Sequence, residues 1–394
     1  MKHRKALLAI IGVAAVAIVG WLIYRAYVSP TKGVIKIGGI LPLTGNLSVL
    51  GVPEKHGIEL GVEQSNEEFR NSGIPLRLEA IFEDTQGDPK NAVSIAQKLL
   101  LQGVDIIIVS TTGASRAVVP VAVASNVPVI TLCMDPTIQK DSRLVFRLYE
   151  SMGQEAETLV SYFEDLDLEE RATARVGVLY VNHAGAVQQL NDFLRPAFRR
   201  LKINLVFEEP YQLGQKDFRD LAAKAKLSKL THLIIVGYGF EYPAIFRDFR
   251  SLGVNPQILG GWGFIAVDAL PAKERDGIIV AAPRYLLHDT EMVRDFHQKF
   301  VSKYGKPPNF DAAFAYNAIL MVARAIRQSY PDVRSERIAQ ELSQLRDFQS
   351  IFGHVTMVDG DLKVPMALAV WYNGKLVEYR SSIDLPNNKK GALP

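Results

Sequence analysis

Cysteine is almost absent from this chain of 394 residues, which contains a single one, Cys133. Because a disulfide joins two thiols, the fold cannot rest on an internal disulfide framework. Cys133 ends the strand-like run of residues 129–133, and no catalytic signature or nearby base accompanies it. We therefore expect a buried thiol that packs in the core rather than a nucleophile.

A surplus of basic charge is also missing from most of the chain. The net charge is +3, from 45 basic and 42 acidic residues. Four of the basic residues fall within the first 28, and the remainder has 41 basic and 42 acidic residues, a net charge of −1. The sequence does not predict the clustered basic surface that nucleic acid requires, so we expect no nucleic-acid partner.

The motifs of common enzyme, cofactor and metal sites are absent too. The sequence has no Gly-x-Gly-x-x-Gly, no Gly-x4-Gly-Lys-Ser/Thr, no His-Glu-x-x-His and no Gly-x-Ser-x-Gly. Its seven histidines are scattered, and none stands four residues from another. We expect a protein that is not an enzyme and that uses no cofactor or metal.

The N-terminus does contain one long uncharged run. A basic cluster at residues 2–5 precedes residues 6–24, which carry no charge. A helix over this run would measure about 28 Å, enough to cross a hydrocarbon core of about 30 Å. Trp21, Tyr24 and Tyr27 lie at its far end, where an aromatic belt would form.

Two interpretations of this run remain open. A cleaved signal peptide usually has an apolar core of only about 7–15 residues and a small-residue cleavage site. We favour an uncleaved anchor over residues 1–28, followed by a linker at 29–33. Under both interpretations the remainder lies outside the cytoplasm, and an uncleaved anchor would hold it at the inner membrane.

Strands and helices alternate from Val34 onward, and the alternation restarts after Arg147. Asp88-Pro89 predicts a helix start, because Asp is a good N-cap and Pro suits the first helical position. Asn373-Gly374 predicts a hairpin turn. Two rounds of alternation predict two doubly wound α/β lobes, in which ligands bind beyond the carboxyl ends of the strands. The loops of interest therefore follow Leu41, Ser110, Cys133, Val181, Gly237 and Gly260.

Four stretches of the chain carry a family resemblance. They are Leu41-Pro42-Leu43-Thr44-Gly45, Asp88-Pro89-Lys90-Asn91-Ala92, Gly214-Gln215-Lys216-Asp217-Phe218 and Phe310-Asp311-Ala312-Ala313-Phe314, each with its neighbours. Together they resemble the leucine/isoleucine/valine-binding proteins, which are type I periplasmic binding proteins that serve ABC importers. The resemblance extends from about residue 34 to residue 379.

The resemblance implies two Rossmann-like lobes joined by a three-strand hinge. The implied divisions are 34–149 and 286–356 for lobe 1, 152–284 and 357–380 for lobe 2, and 381–394 for a C-terminal tail. The hinge strands would lie near residues 146–148 and 283–285.

The resemblance also implies a set of ligand-binding residues. Thr111, Thr112 and Gly113 stand where the family binds a ligand carboxylate, and free N–H groups at a helix start favour an anion there. Ordinary capping of that helix by Ser115 is the alternative. Asp135 stands where a hydroxyl holds the ligand amine, and it could accept a cation or only cap the next turn. The implied set is Leu50, Thr111, Thr112, Gly113, Met134, Asp135, His183, Tyr238 and Trp262.

Several positions depart from the family pattern. Leu50 replaces an aromatic residue, and Gly261-Trp262-Gly263 occupies the loop that usually supplies an acid to the ligand ammonium. Burying an ammonium without a counter-charge costs several kcal/mol. We therefore expect a small carboxylate with an apolar or aromatic body rather than an ordinary α-amino acid.

The function implied by the resemblance is capture of a small ligand by lobe closure, followed by delivery to an ABC permease. The alternative is a sensor module that acts through a membrane or periplasmic signalling partner. The anchor would hold either protein at the outer face of the inner membrane.

Overall fold

The computed structural model describes residues 33–139, 142–265 and 270–379. Apart from Gly33, the anchor, linker and tail expected from the sequence lie outside the described residues. Among the helices in these described ranges, none is both long enough and apolar enough to cross a bilayer.

The described residues alternate strand and helix along both halves of the chain. The strands are β1 (Val34–Leu41), β2 (Arg77–Asp84), β3 (Ile106–Ser110), β4 (Val129–Leu132), β5 (Val145–Arg147), β6 (Val176–Val181), β7 (Leu205–Tyr211), β8 (His232–Val236), β9 (Gln257–Gly260), β10 (Ile279–Pro283), β11 (Phe348–Ser350), β12 (Gly353–Val358), β13 (Asp361–Lys363), β14 (Met366–Tyr372) and β15 (Lys375–Glu378).

The helices are α1 (Ser48–Asn71), α2 (Pro89–Leu101), α3 (Thr112–Ala124), α4 (Met152–Glu164), α5 (Leu168–Thr173), α6 (Ala184–Gln188), α7 (Arg195–Arg200), α8 (Arg219–Leu227), α9 (Tyr242–Ser251), α10 (Ala272–Arg275), α11 (Glu291–Tyr304), α12 (Phe310–Ser329) and α13 (Ser335–Ser343). A π-helical stretch (Gln189–Leu194) joins α6 to α7, and short 3-10 turns occupy Trp262–Phe264 and Arg284–Leu287.

Two separate sheets define two lobes. The lobe 1 sheet has the order β11-β12-β13-β5-β4-β3-β1-β2, and the lobe 2 sheet has the order β15-β14-β10-β9-β8-β6-β7. Strands β1–β5 pair in parallel in lobe 1, as do β6–β10 in lobe 2. The predicted pair of doubly wound α/β lobes is confirmed. In both sheets the strand order reverses beside the first strand, which creates a crevice at its carboxyl end.

The chain passes between the two sheets at three places. It leaves the lobe 1 sheet after β5, returns after β10, and leaves again between Lys363 and Met366. The sequence-based boundary at 356/357 is therefore wrong, because β12 and β13 both belong to lobe 1. They form a hairpin in which Thr356 pairs with Lys363, and Asp359 and Gly360 at its turn have positive φ.

Two element boundaries predicted from the sequence are confirmed, the start of α2 and the turn between β14 and β15. The Asp88 side chain accepts the Lys90 N–H at 2.8 Å, and Pro89 opens α2. Asn373 and Gly374 both have positive φ and join β14 to β15, as the hairpin signal predicts.

Helices α1 and α12 pack closely against each other in lobe 1. A Cβ atom on Gly57 of α1 would overlap the Ala312 carbonyl of α12, so the glycine permits this approach. Most of α12 is buried, including Phe314 and Ile319. The two helices therefore hold the side chains near their N-terminal ends at fixed positions beside the carboxyl edge of the lobe 1 sheet.

Candidate functional site

A cavity lies between the two lobes, where the carboxyl ends of their strands meet. Ser110 and Leu132 line it from the ends of β3 and β4, and Val181 and Val236 line it from the ends of β6 and β8. It encloses about 790 Å³ of empty space, part of which is open to solvent. This is the edge at which the sequence predicts the binding loops.

Most of the side chains expected from the sequence do line this cavity. Those with wall positions are Leu50, Thr111, Thr112, Met134, Tyr238 and Trp262. Thr111 has a positive φ of 70°, and its hydroxyl accepts the Ala114 N–H at 3.4 Å. This cap belongs to Thr111 rather than to Ser115, whose hydroxyl is buried without a hydrogen-bond partner among the described residues.

Three of the expected residues lie outside the cavity wall. Gly113 sits in the first turn of α3, where a Cβ would lie 3.0 Å from the Pro89 ring. The His183 ring lies 2.9 Å from the Tyr238 hydroxyl, and burial lowers the pKa of His183. His183 therefore contacts the cavity-lining Tyr238 through this hydrogen bond and does not line the cavity itself.

Asp135 is the third residue outside the wall. Its carboxylate already accepts hydrogen bonds from neighbouring protein groups. Thr137 donates to it at 2.7 Å from its hydroxyl and at 3.0 Å from its N–H. Arg116 donates to it at 2.9 Å. Burial opposes ionisation of Asp135, yet the bonds from Thr137 and Arg116 outweigh burial and lower its pKa. Asp135 thus caps the following turn and is not placed to accept a ligand cation.

Gln188 joins this cluster from the other lobe. It accepts a hydrogen bond from Arg116 at 2.8 Å and donates one to Asp135 at 3.2 Å. The two lobes are therefore in direct contact through these side chains.

Three buried carboxyl groups line the cavity, and sequence reasoning assigned none of them to the site. They are Glu54 of α1, Glu155 of α4 and Asp311 of α12. Glu155 and Asp311 lie in the first turns of their helices, where an acid usually serves the helix dipole. Glu54 lies inside a longer helix. The helical pattern alone therefore gave no signal for a site.

Asp311 is surrounded by hydrogen-bond donors. The Tyr149 hydroxyl donates to it at 2.6 Å, the Trp262 indole at 3.3 Å and the Asn309 amide at 3.1 Å. Trp262 also donates to the Tyr149 hydroxyl at 2.8 Å. Burial raises the pKa of Asp311 to about 7, although these bonds stabilise its ionised form.

Glu54 is less well provided with partners. The Ser110 hydroxyl donates to its Oε1 at 2.8 Å, and its Oε2 has no partner among the described residues. Burial, together with the nearby charge of Asp311, raises the pKa of Glu54 well above its usual range.

Glu155 occupies the space beside the glycine-tryptophan loop of lobe 2. It accepts the Trp262 backbone N–H at 2.8 Å and the Gln189 amide at 2.6 Å. Burial raises its pKa, and these two bonds partly offset the effect. A Cβ on Gly261 would overlap the Glu155 carboxyl, so glycine at 261 makes room for it. The loop itself contains no acid, but Glu155 of α4 lies beside it and supplies one from outside the loop.

Cys133 is buried, as the sequence predicts, and it also lines the cavity. Burial raises the pKa of its thiol. A thiol held in the neutral form adds apolar surface rather than a nucleophile.

Comparisons with known proteins agree with this architecture. A family model described as periplasmic binding protein matches residues 34–375. Among curated proteins, the chain is 26% identical over 350 residues to Leu/Ile/Val-binding protein homolog 3 of Brucella melitensis, covering 87% of this chain and 93% of that protein. It is 23% identical to the leucine-, isoleucine-, valine-, threonine-, and alanine-binding protein of Pseudomonas aeruginosa, covering 89% and 92%.

Two solved structures illustrate the shared fold. The branched-chain amino acid transporter substrate-binding protein LivJ of Streptococcus pneumoniae, in complex with isoleucine, has a TM-score of 0.73 at 23% identity and covers 87% of this chain and 97% of its own. A solute-binding protein of an ABC transporter from Rhodopseudomonas palustris BisB5, in complex with 3,4-dihydroxybenzoic acid, has a TM-score of 0.75 at 18% identity, with coverage of 88% and 97%.

Proposed function

The chain belongs to the periplasmic binding protein family, and we propose that it captures a small amino-acid-like ligand between its lobes and delivers it to an ABC importer. The observation that carries this proposal is the interlobe cavity, whose walls come from both sheets. Curated relatives are named for binding branched-chain amino acids, and they match along nearly the whole of the described chain.

The proposed binding mode assigns one ligand group to each lobe. The ligand carboxylate meets Thr111 and Thr112, beside the free N–H groups at the start of α3. The ligand amine meets Glu155, which reaches the cavity from α4 beside Trp262. Because Glu155 supplies a counter-charge, an α-amino acid becomes a suitable ligand. No reaction is part of this proposal.

Closure of the lobes is the proposed mechanism of capture. The hinge must bend at the three crossings between the sheets, and ligand contacts from both lobes then favour the closed form. Arg116 of lobe 1 and Gln188 of lobe 2 are hydrogen-bonded at 2.8 Å, which is the contact expected at the rim of a closed cleft.

Family membership supports a location outside the cytoplasm. We further propose that residues 1–28 remain attached as a membrane anchor, which holds the binding lobes close to the permease. The uncharged run of residues 6–24 behind a basic cluster supports this step.

Mass spectrometry of the natively purified full chain tests capture and anchoring together. We expect the intact mass to retain the N-terminal segment, and we expect denaturation to release a small molecule. The control is protein that was unfolded in guanidinium and refolded, which should release nothing. A mature N-terminus near residue 28 would overturn the anchor alone. Absence of any released molecule, with no rise in melting temperature after addition of a small-metabolite extract, would overturn ligand capture.

A further inference from the structure

The acids that line the cavity have no basic counterpart in its described wall. Its described wall contains the carboxyl groups of Glu54, Glu155 and Asp311 but no lysine, arginine or histidine. These three acids are 2%, 4% and 1% exposed, so water screens them poorly. Buried charges in proteins are normally paired, because an isolated one costs several kcal/mol. The described wall therefore provides no cation to balance these acids, so a ligand could provide one.

The acids of lobe 1 point to where that cation belongs. Three donors surround Asp311, which suits an anion rather than a neutral acid. Glu54, which also lines the cavity, lies near enough for the two charges to repel each other, and its buried Oε2 has no partner among the described residues. An unpartnered acceptor at a cavity wall is satisfied when a ligand donates to it.

Trp262 shows that the two acid positions are separate. Its backbone N–H bonds to Glu155, and its indole Nε1 bonds to Asp311. The acid of lobe 2 and the acid pair of lobe 1 therefore lie about one tryptophan side chain apart. One small ammonium cannot neutralise both positions.

Aromatic rings stand beside the space between the two positions. Tyr149, Tyr238 and Trp262 all line the cavity, and the Tyr238 and Trp262 rings meet edge to face with centroids 5.8 Å apart. Ring faces attract organic cations. The described residues contain no group of three His, Cys, Asp or Glu spaced to hold a metal ion. An organic cation therefore fits the wall better than a metal.

We propose that the ligand carries a second cationic nitrogen, as a basic amino acid does, and that Glu54 and Asp311 bind it while Glu155 binds the α-amine. This inference rests on the proposed function and specifies its ligand class. The carboxylate keeps its place at Thr111 and Thr112, and the carbon chain of the ligand runs past Trp262.

A thermal-shift panel of matched pairs tests the inference on the unmodified protein. L-lysine is compared with L-norleucine, which lacks only the terminal amine, and L-arginine with L-citrulline, which lacks the charge. L-leucine and 3,4-dihydroxybenzoate complete the panel. We expect lysine or arginine to raise the melting temperature and bind at least about 30-fold more tightly than its neutral counterpart.

The overturning results are equally definite. Binding of norleucine, citrulline or leucine as tight as that of the cationic compounds would overturn the second cation and leave ligand capture standing. Absence of a shift with every cationic compound would overturn it too. Failure of capture itself is recognised separately, by the mass-spectrometric experiment above.

Two isosteric variants test the assigned acids. Glu54→Gln and Asp311→Asn should each weaken binding of the cationic compound by about 30-fold or more, as when one partner of a buried charge pair is removed. Glu67→Gln, on the exposed side of α1, is the matched control and should bind as the wild type does. Equal affinity in all three variants would contradict the assignment. The panel needs no variant, so it decides the ligand class even if a variant fails to fold.

Discussion

At the scale of single residues, Gly261 determines which acid reaches the site. Its missing side chain leaves the space that the Glu155 carboxyl occupies, between the Trp262 N–H and the Gln189 amide. The acid therefore comes from the start of α4 rather than from the loop itself. A loop that contains no acid in its sequence can still have one beside it in space.

Replacing Gly261 with alanine tests this arrangement. The new methyl group would overlap the Glu155 carboxyl, so we expect the free energy of unfolding to fall by about 1–3 kcal/mol, as in other overpacked sites. Urea unfolding followed by circular dichroism measures the change. Gly253→Ala is unsuitable as a control because its φ is positive, so Gly33→Ala is used: no described residue lies within 4 Å of a Cβ there, and stability should change by less than about 0.5 kcal/mol. Equal stability of the two variants would show that Glu155 moves aside freely.

Sequence reasoning located part of the site, for a physical reason. Thr111 and Thr112 follow a buried strand and open a helix, and this position alone predicts that they lie at the cavity edge. Asp135 also follows a strand, but Arg116 and Thr137 occupy its carboxylate, and neighbours of this kind are set by tertiary structure. The cavity-facing Glu54 lies inside a helix, where nothing in the local pattern distinguishes it from an ordinary helical acid.

At the scale of secondary structure elements, the sequence pattern predicts whether most segments are helix or strand. It predicts the ends of some elements wrongly where the local sequence signal is weak. Proline is common in the first turn of a helix, so Pro53 is a misleading start signal: α1 begins at Ser48 and contains Pro53. The β12–β13 hairpin was missed because its Asp359-Gly360 turn falls between short strands with little alternation. Missing it displaced the third crossing by several residues and assigned the hairpin to the wrong lobe.

The contact between α1 and α12 aligns two of the site acids, because Glu54 and Asp311 lie on these two helices. We expect Gly57→Ala to push α1 away from the Ala312 carbonyl and to lower the free energy of unfolding by about 1–3 kcal/mol. Urea unfolding of this variant is compared with that of Glu67→Ala, an exposed position on α1 that should stay within about 0.5 kcal/mol of wild type. A neutral Gly57→Ala would mean that the helices separate without cost.

At the scale of the whole molecule, the first and third crossings are tied together by a buried arginine. Arg147 is fully buried and donates to the carbonyls of Tyr149 and Glu150 at 2.7 and 2.6 Å. It also pairs with Asp361 of β13. These bonds couple the crossings that must bend together, so closure is a motion of whole lobes rather than of one loop.

The uncompensated acids give the whole molecule a pH dependence. Asp311 interacts electrostatically with four other buried titratable groups, which are Glu54, Tyr149, Glu150 and Tyr285. Burial raises the pKa of Asp311 to about 7, from an ordinary value of about 3.9 in the unfolded chain. The folded protein therefore holds more protons than the unfolded chain across this interval, and stability falls as the pH rises.

We expect the ligand-free protein to lose at least about 1 kcal/mol of unfolding free energy between pH 5 and pH 8, most of it by about pH 7. Burial also raises the pKa of Glu54, so its contribution has the same sign. Urea unfolding at several pH values measures the slope. The double variant Glu54→Gln/Asp311→Asn should reduce it, because amides do not titrate here, while Glu150 and Glu155, whose pKa values burial also raises, still contribute. A saturating cationic ligand should reduce the slope too, by replacing the proton as the counter-charge. Equal slopes in the wild type and the double variant would show that these two acids do not titrate across this range.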